Sequence, residues 1–132
     1  MLYRYELTCD GERQDVGFMT GLSELETNGR NYDHLLDAFR GLPVPRLPPG
    51  RYLSFFTEKG MDAFKDGIKE LIDAYYDDGL FEVMECIIDT ELLSADDVVY
   101  EDDFQAAVKE SVVHGMGHIT PQVHADSVRK KG

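Results

Sequence analysis

Between Arg51 and Gly79 the chain reads RYLSFFTEKGMDAFKDGIKELIDAYYDDG, an aromatic segment that runs straight into an amphipathic one. Residues Arg51–Thr57 carry bulky side chains that suit a pleated, half-buried surface, and they predict a strand. Thr57 then suits a helix N-cap, where its hydroxyl accepts from an N–H of the first turn. Phe56 and Met61 stand at the two positions of a hydrophobic staple. Met61, Phe64, Ile68, Leu71, Ile72 and Tyr75 recur at the three-to-four spacing of one buried helical face. Asp78-Gly79 ends the run, and Gly79 can adopt the left-handed cap. A strand feeding a long amphipathic helix needs a sheet for that helix to cover. The expected core sets Met61, Phe64, Ile68, Leu71 and Ile72 against strands containing Leu53, Phe55, Val83 and Ile87.

The flanking segments fit this scheme. Leu2–Thr8 alternates as a strand, and Asp10-Gly11 is a turn signal. Val16–Leu25 reads as a strand or as a loop entering a helix. Tyr32–Leu42 places Tyr32, Leu35, Leu36 and Phe39 on one helical face, with Gly41 as its stop. Residues 43–50, PVPRLPPG, hold four of the five prolines and predict an extended, ordered connector, because proline fixes φ and donates no hydrogen bond. Phe81–Asp89 predicts a strand and Asp96–Asp103 a short strand or turn. Phe104–Val113 fits either period, and its two alanines favour a helix. The fold class is therefore α+β, a single domain over 1–113 with a mostly antiparallel sheet and a long amphipathic helix packed on it. Residues 114–132 read as a polar C-terminal tail with the composition of a mobile end.

At 132 residues, 42% hydrophobic and 30% charged, the chain has the make-up of one globular domain that needs no staples. Its two cysteines, Cys9 and Cys86, lie far apart and read as reduced thiols. The start MLYRYELTCDGER lacks a basic region followed by an apolar run, and no stretch reaches the length of a membrane span, so a cytoplasmic protein is expected. Net charge is −13. Residues 51–110 hold 17 of the 26 acids against 5 bases. Such a surface repels phosphate backbones, which disfavours direct nucleic-acid binding and suits a basic protein partner.

Asp73, Asp77 and Asp78 crowd the far end of the predicted helix, where the macrodipole makes acids mildly unfavourable. With Glu70, Glu82 and Glu85 they form an expected negative ridge, and Tyr75, Tyr76 and Phe81 supply aromatic anchors of the kind interfaces favour. The leading functional reading is a small acidic protein-binding or inhibitor module. It docks on a basic surface, such as that of a nucleic-acid-binding enzyme, and needs no cofactor.

Phosphate-binding loops, dinucleotide fingerprints, nucleophile elbows and HExxH pairs are all missing from the sequence. A metal reading rests on HGMGHITPQVHAD, which places His114, His118 and His124 within eleven residues. Imidazoles four apart on a helix share a face and can chelate a transition metal, with a third ligand from the following loop.

An enzymatic reading rests on three segments: YRYE on the first strand, YLSFFTEKG on a later one, and the acidic turn VVYEDDFQAAV. Their order resembles that of small ADP-ribosyltransferase-like proteins. The resemblance implies NAD as cofactor, with Arg4 gripping the nicotinamide ribose and phosphates. It further implies that Ser54 supports the site and that Glu101 or Asp103 holds the ribose hydroxyl. The roles are chemically coherent, since an arginine fork suits a pyrophosphate and a carboxylate stabilises an oxocarbenium-like centre.

Overall fold

The computed structural model describes residues 1–9, 12–19, 33–79, 81–116, 118–119 and 123–125. Seven strands are described: β1 (Leu2–Cys9), β2 (Glu12–Gly17), β3 (Tyr52–Phe56), β4 (Glu82–Ile88), β5 (Val98–Glu101), β6 (Gln105–Lys109) and β7 (His118–Ile119). They form one sheet in the order β5-β6-β3-β1-β4-β7, with β2 attached to β1 off this path. Every pairing is antiparallel. The α-helices are α1 (Glu58–Ala63), α2 (Lys65–Asp78) and α3 (Glu110–Met116). Two 3-10 helices, Asp33–Phe39 and Thr90–Leu92, complete the described elements. This is the α+β fold expected from the sequence.

Both sheet faces are covered. On one, Tyr5, Leu7, Phe56 and Val83 pack with Met61, Ile68, Leu71, Ile72 and Tyr75 of α1 and α2. On the other, Leu2, Leu53, Phe55, Cys86, Ile88, Ala106 and Val108 pack with Val113 of α3. The expected helical face is therefore buried, but Leu53 and Phe55 lie in the opposite core. The strand parity assumed from RYLSFFT was reversed. Phe56 is the β3 residue that meets the helices, and Leu53 and Phe55 have apolar partners on the other face, so alternation alone could not choose the face.

The long helix is two helices. Phe64 breaks it with φ −111° and ψ 15°, and its ring lies among those of Phe39, Phe56 and Phe104, with centroids 5.5–6.3 Å away. Thr57 caps α1 as expected: its Oγ1 accepts the Gly60 N–H at 3.0 Å and donates to the Asp103 carbonyl at 2.5 Å. The Thr57 N–H donates to the Phe104 carbonyl at 3.0 Å, so the start of α1 is bound to the β5–β6 turn. Gly79 closes α2 with φ 80°, its N–H donating to the Tyr75 carbonyl at 3.1 Å.

Residues 104–113 are a strand followed by a helix, not one helix: β6 carries both alanines and α3 begins at Glu110. Ala106 and Ala107 are each 1% exposed, because their small side chains face opposite sides of a central strand that is covered on both. That tertiary setting overrides alanine's helical preference. Within Tyr32–Leu42, Asp33–Phe39 form a 3-10 helix, with Phe39 in the core. Of Val16–Leu25, residues 16 and 17 end β2 and residues 20–25 lie outside the described residues, as does the Asp10-Gly11 turn. Residues 43–50 of the proline connector form neither helix nor strand and are mostly exposed. It is held at its ends, where the Pro43 carbonyl accepts from Gln105 Nε2 and the Pro49 carbonyl accepts the Tyr52 hydroxyl. The described parts of 114–132 join the fold, since β7 pairs with β4 and the buried Val123 donates its N–H to the Val83 carbonyl at 2.8 Å.

Gly60 marks the tightest approach. A Cβ there would stand 2.0 Å from the Phe104 carbonyl oxygen, whereas one at Gly115 would meet nothing within 4 Å. Gly60→Ala should lower stability by at least about 1–3 kcal/mol, the range for overpacking. Gly115→Ala in α3 should be neutral or gain up to about 1 kcal/mol from helix propensity. Thermal denaturation of the two variants checks this, and equal melting temperatures would contradict the contact.

Candidate functional site

The outward face of the helical layer is acidic. Asp66, Glu70, Asp73 and Asp77 are exposed along α2 at spacings of four, three and four residues, which stacks them on one side of a helix. None forms an ion pair among the described residues. The buried residues Ile68, Leu71, Ile72 and Tyr75 occupy the opposite side, so the same periodicity that makes the core also segregates the charge.

The ridge differs from the one expected in its other members. Asp78 and Glu82 are half-buried, and Glu85 Oε2 accepts the Tyr5 hydroxyl at 2.7 Å. The aromatics are structural. Tyr75 is fully buried and donates to the Phe18 carbonyl, and burial pushes its phenol above the ordinary value. Tyr76 stacks on His124 with centroids 4.5 Å apart, and its hydroxyl accepts the Val83 N–H at 3.2 Å. Phe81 packs edge-on against Tyr75. Tyr75 and Tyr76 are thus not free anchors. Helical spacing already puts Tyr75 on the buried face, whereas the stacking of Tyr76 depends on His124, which is remote in sequence.

A second feature lies where the sheet divides. β1 pairs with β4 from Leu2–Ile88 to Thr8–Glu82, but with β3 only through Tyr3–Phe56. Beyond that point β2 takes the same edge of β1, with a register shift between Glu6 and Thr8. Arg4 spans the division. Its Nε donates to Glu6 Oε2 at 2.8 Å and its Nη1 to the Ser54 carbonyl at 3.2 Å. The Arg4 side chain is 11% exposed and that of Glu6 is 0%. A cavity of about 540 Å³ opens beside them, bordered by Arg4, Gly17, Phe18, Ser54, Phe56 and Glu110.

The structure thus brings Arg4 and Ser54 together. It places Glu101 and Asp103 elsewhere. Glu101 borders a separate depression with Leu2, Leu93 and Tyr100, and Asp103 is exposed and paired with Lys59 at 3.3 Å. The residue between them, which the sequence reading passed over, organises the turn. Asp102 Oδ1 accepts the N–H groups of Phe104 and Gln105 at 2.8 and 2.9 Å, and its Oδ2 accepts the Tyr100 hydroxyl at 2.5 Å. An aspartate two and three residues before its N–H partners is an Asx-turn signal that the sequence did contain. Burial alone would raise this carboxyl, but the Tyr100 hydroxyl and the two backbone donors outweigh it and hold the group below the ordinary 3.8.

The histidines do not share a helix. α3 ends at Met116, His118 opens β7, and His124 is stacked on Tyr76. The four-residue spacing of His114 and His118 therefore does not place them on one helical face. No group of three or more metal-ligating side chains occurs among the described residues. Neither Cys9 nor Cys86 forms a disulfide, and Cys86 is buried in β4, while among the described residues no helix is long and apolar enough to cross a membrane. In comparisons with known proteins, the chain matches no family model, no curated protein and no solved structure.

The Asp102 turn carries a pH signature. A carboxyl depressed in the folded state stabilises the fold above its unfolded value, and that contribution is lost as pH falls through the folded value. The melting-temperature difference between wild type and Asp102→Asn should be largest at neutral pH and shrink below the ordinary 3.8. A difference that stays constant from neutral to acid pH would contradict this role.

Proposed function

We propose that this protein is an acidic docking module of the cytoplasm that binds a basic protein surface, in the manner of an inhibitor covering a groove built for an anionic polymer. The observation that supports this most is the row of four carboxylates, Asp66, Glu70, Asp73 and Asp77, on the exposed side of α2, with no ion pair among the described residues. Surface acids interspersed with lysines would serve solubility equally well, but Lys65 and Lys69 are half-buried on the flank of the row and pair with no acid among the described residues. Such a row projects a field that steers a cationic partner and rejects nucleic acid. Asp77 also sits in the last turn, where a carboxylate opposes the helix dipole by a few tenths of a kcal/mol, roughly 0.3–1. A partner that meets these charges offsets that cost.

Reversal of charge at Glu70, Asp73 and Asp77 to lysine tests the reading. These side chains face solvent, so folding should be retained, with stability unchanged or slightly raised. Partners captured from an extract of the source cell by the wild type should be basic. The triple variant should bind them with an on-rate lowered by about 10-fold or more at low salt and should lose most of the salt dependence. Equal association of both proteins at both salt concentrations would reduce the row to solubility charge.

A further inference from the structure

The cavity at the sheet division is independent of the acidic helix face, and its chemistry differs. Its walls are mostly apolar, with Val16, Phe18, Leu42 and Phe56 among them. Its volume of about 540 Å³ falls within the roughly 300–1,000 Å³ usual for small-ligand sites. Its polar lining residues are Arg4, Tyr5, Tyr52, Ser54, Gln105 and Glu110, and Glu110 adds a carboxylate that an anionic ligand would meet. Arginine has five N–H donors, and Arg4 directs one to Glu6 and one to the Ser54 carbonyl, which leaves Nη2 without a hydrogen-bond partner among the described residues. The ideal Cβ position of Gly17 lies 3.4 Å from that Nη2, so the absence of a side chain at this position keeps the space before the guanidinium open. Ser54 borders the same cavity, and its hydroxyl also has no partner among the described residues.

The charge state of the site selects the ligand. Glu6 lies against the guanidinium at 2.8 Å and is fully buried, so the positive charge is already compensated. A carboxylate or phosphate on Nη2 would share one cation with Glu6, inside a protein of net charge −13. Like charges that share a counter-ion at short range disfavour each other's ionised form. A neutral acceptor avoids that penalty and still satisfies the free N–H. We infer that this cavity is a binding site for a small uncharged ligand with a flat apolar body and one amide or similar carbonyl group, the carbonyl accepting from Arg4 Nη2 and the amide N–H donating to the Ser54 hydroxyl. The site thereby departs from the pyrophosphate-gripping role that the resemblance assigned to Arg4.

Acetanilide is a suitable probe, with benzoate and inorganic pyrophosphate as anionic comparators. In amide-resolved NMR titrations of the full chain, acetanilide should saturate and shift Gly17, Phe18, Ser54 and Phe55, and it should bind more tightly than either anion. Arg4→Ala would remove a close partner of the buried Glu6 and endanger the fold, so the test uses Gly17→Leu, which fills the space before Nη2, and Ser54→Ala. Gly17→Leu should raise the acetanilide Kd by at least about tenfold while the protein keeps a folded spectrum. Ser54→Ala should weaken acetanilide several-fold and leave the binding of N-methylacetanilide, which has no N–H to donate, unchanged. Tighter binding of benzoate or pyrophosphate would overturn the proposal in favour of an anion site. Shifts outside the cavity, no saturation, or an unchanged Kd in folded Gly17→Leu would each overturn it outright.

Discussion

β1 pairs along its whole length with β4 on one side, but its other edge is divided between β3 and β2. Because one strand edge cannot hydrogen-bond two partners at the same residues, β3 leaves β1 after the single Tyr3–Phe56 register and β2 enters beyond it. Backbone groups freed at such a division need partners. Arg4 supplies one by donating from its side chain to the Ser54 carbonyl, at 3.2 Å, where a ladder bond would otherwise run. The arginine is in turn held by Glu6, fully buried beneath it. A buried pair of this kind adds little net stability, but losing Arg4 takes away a close partner of the buried Glu6. The division of the sheet, the cavity beside it and the orientation of Arg4 therefore stand or fall together.

The helical layer is fastened to this divided sheet by aromatic rings. Tyr5, Phe18, Phe39, Phe56, Phe64 and Phe104 form a continuous series with centroid separations between 5.3 and 6.3 Å. It runs from β1 past the separating β3 to the turn before β6. Rings at these separations add modest attraction beyond their burial, and large flat side chains bridge a gap that aliphatic ones would leave open. Phe64 takes its place in the series at the cost of helical continuity. The turn that follows β5 is held by Asp102 and linked to Thr57 and Gly60 at the start of α1, so helix and sheet are joined at their least regular points.

The two surfaces with functional promise follow from different parts of this construction. The carboxylate row on α2 depends only on helical periodicity and on which side the core claims. The cavity depends on long-range placement, because Arg4, Gly17 and Ser54 come from three strands and meet only at the division. A row of exposed charge acts at a distance through its field. An arginine already compensated by a neighbouring carboxylate acts only at contact, through the geometry of its remaining donors.

Local pattern in the sequence was sufficient for the strand Tyr52–Phe56, the Thr57 cap, the buried series Met61 to Tyr75, the Gly79 stop and the antiparallel α+β class. Each of these depends on residues within a few positions of one another, where periodicity and capping chemistry act directly. Tertiary structure decided which face of β3 met the helices, the break at Phe64, the strand at Ala106 and Ala107, and the stacking of Tyr76 on His124. It also decided that Arg4 would meet Ser54 but not Glu101. In each case the outcome depended on a partner remote in sequence: α3 covering the second face of the sheet, Phe104 pressing on Gly60, or β2 displacing β3 from β1. Local propensities differ by less than about 1 kcal/mol per residue, whereas burying one large side chain is worth about 1.5–3. Where the two conflicted, packing prevailed.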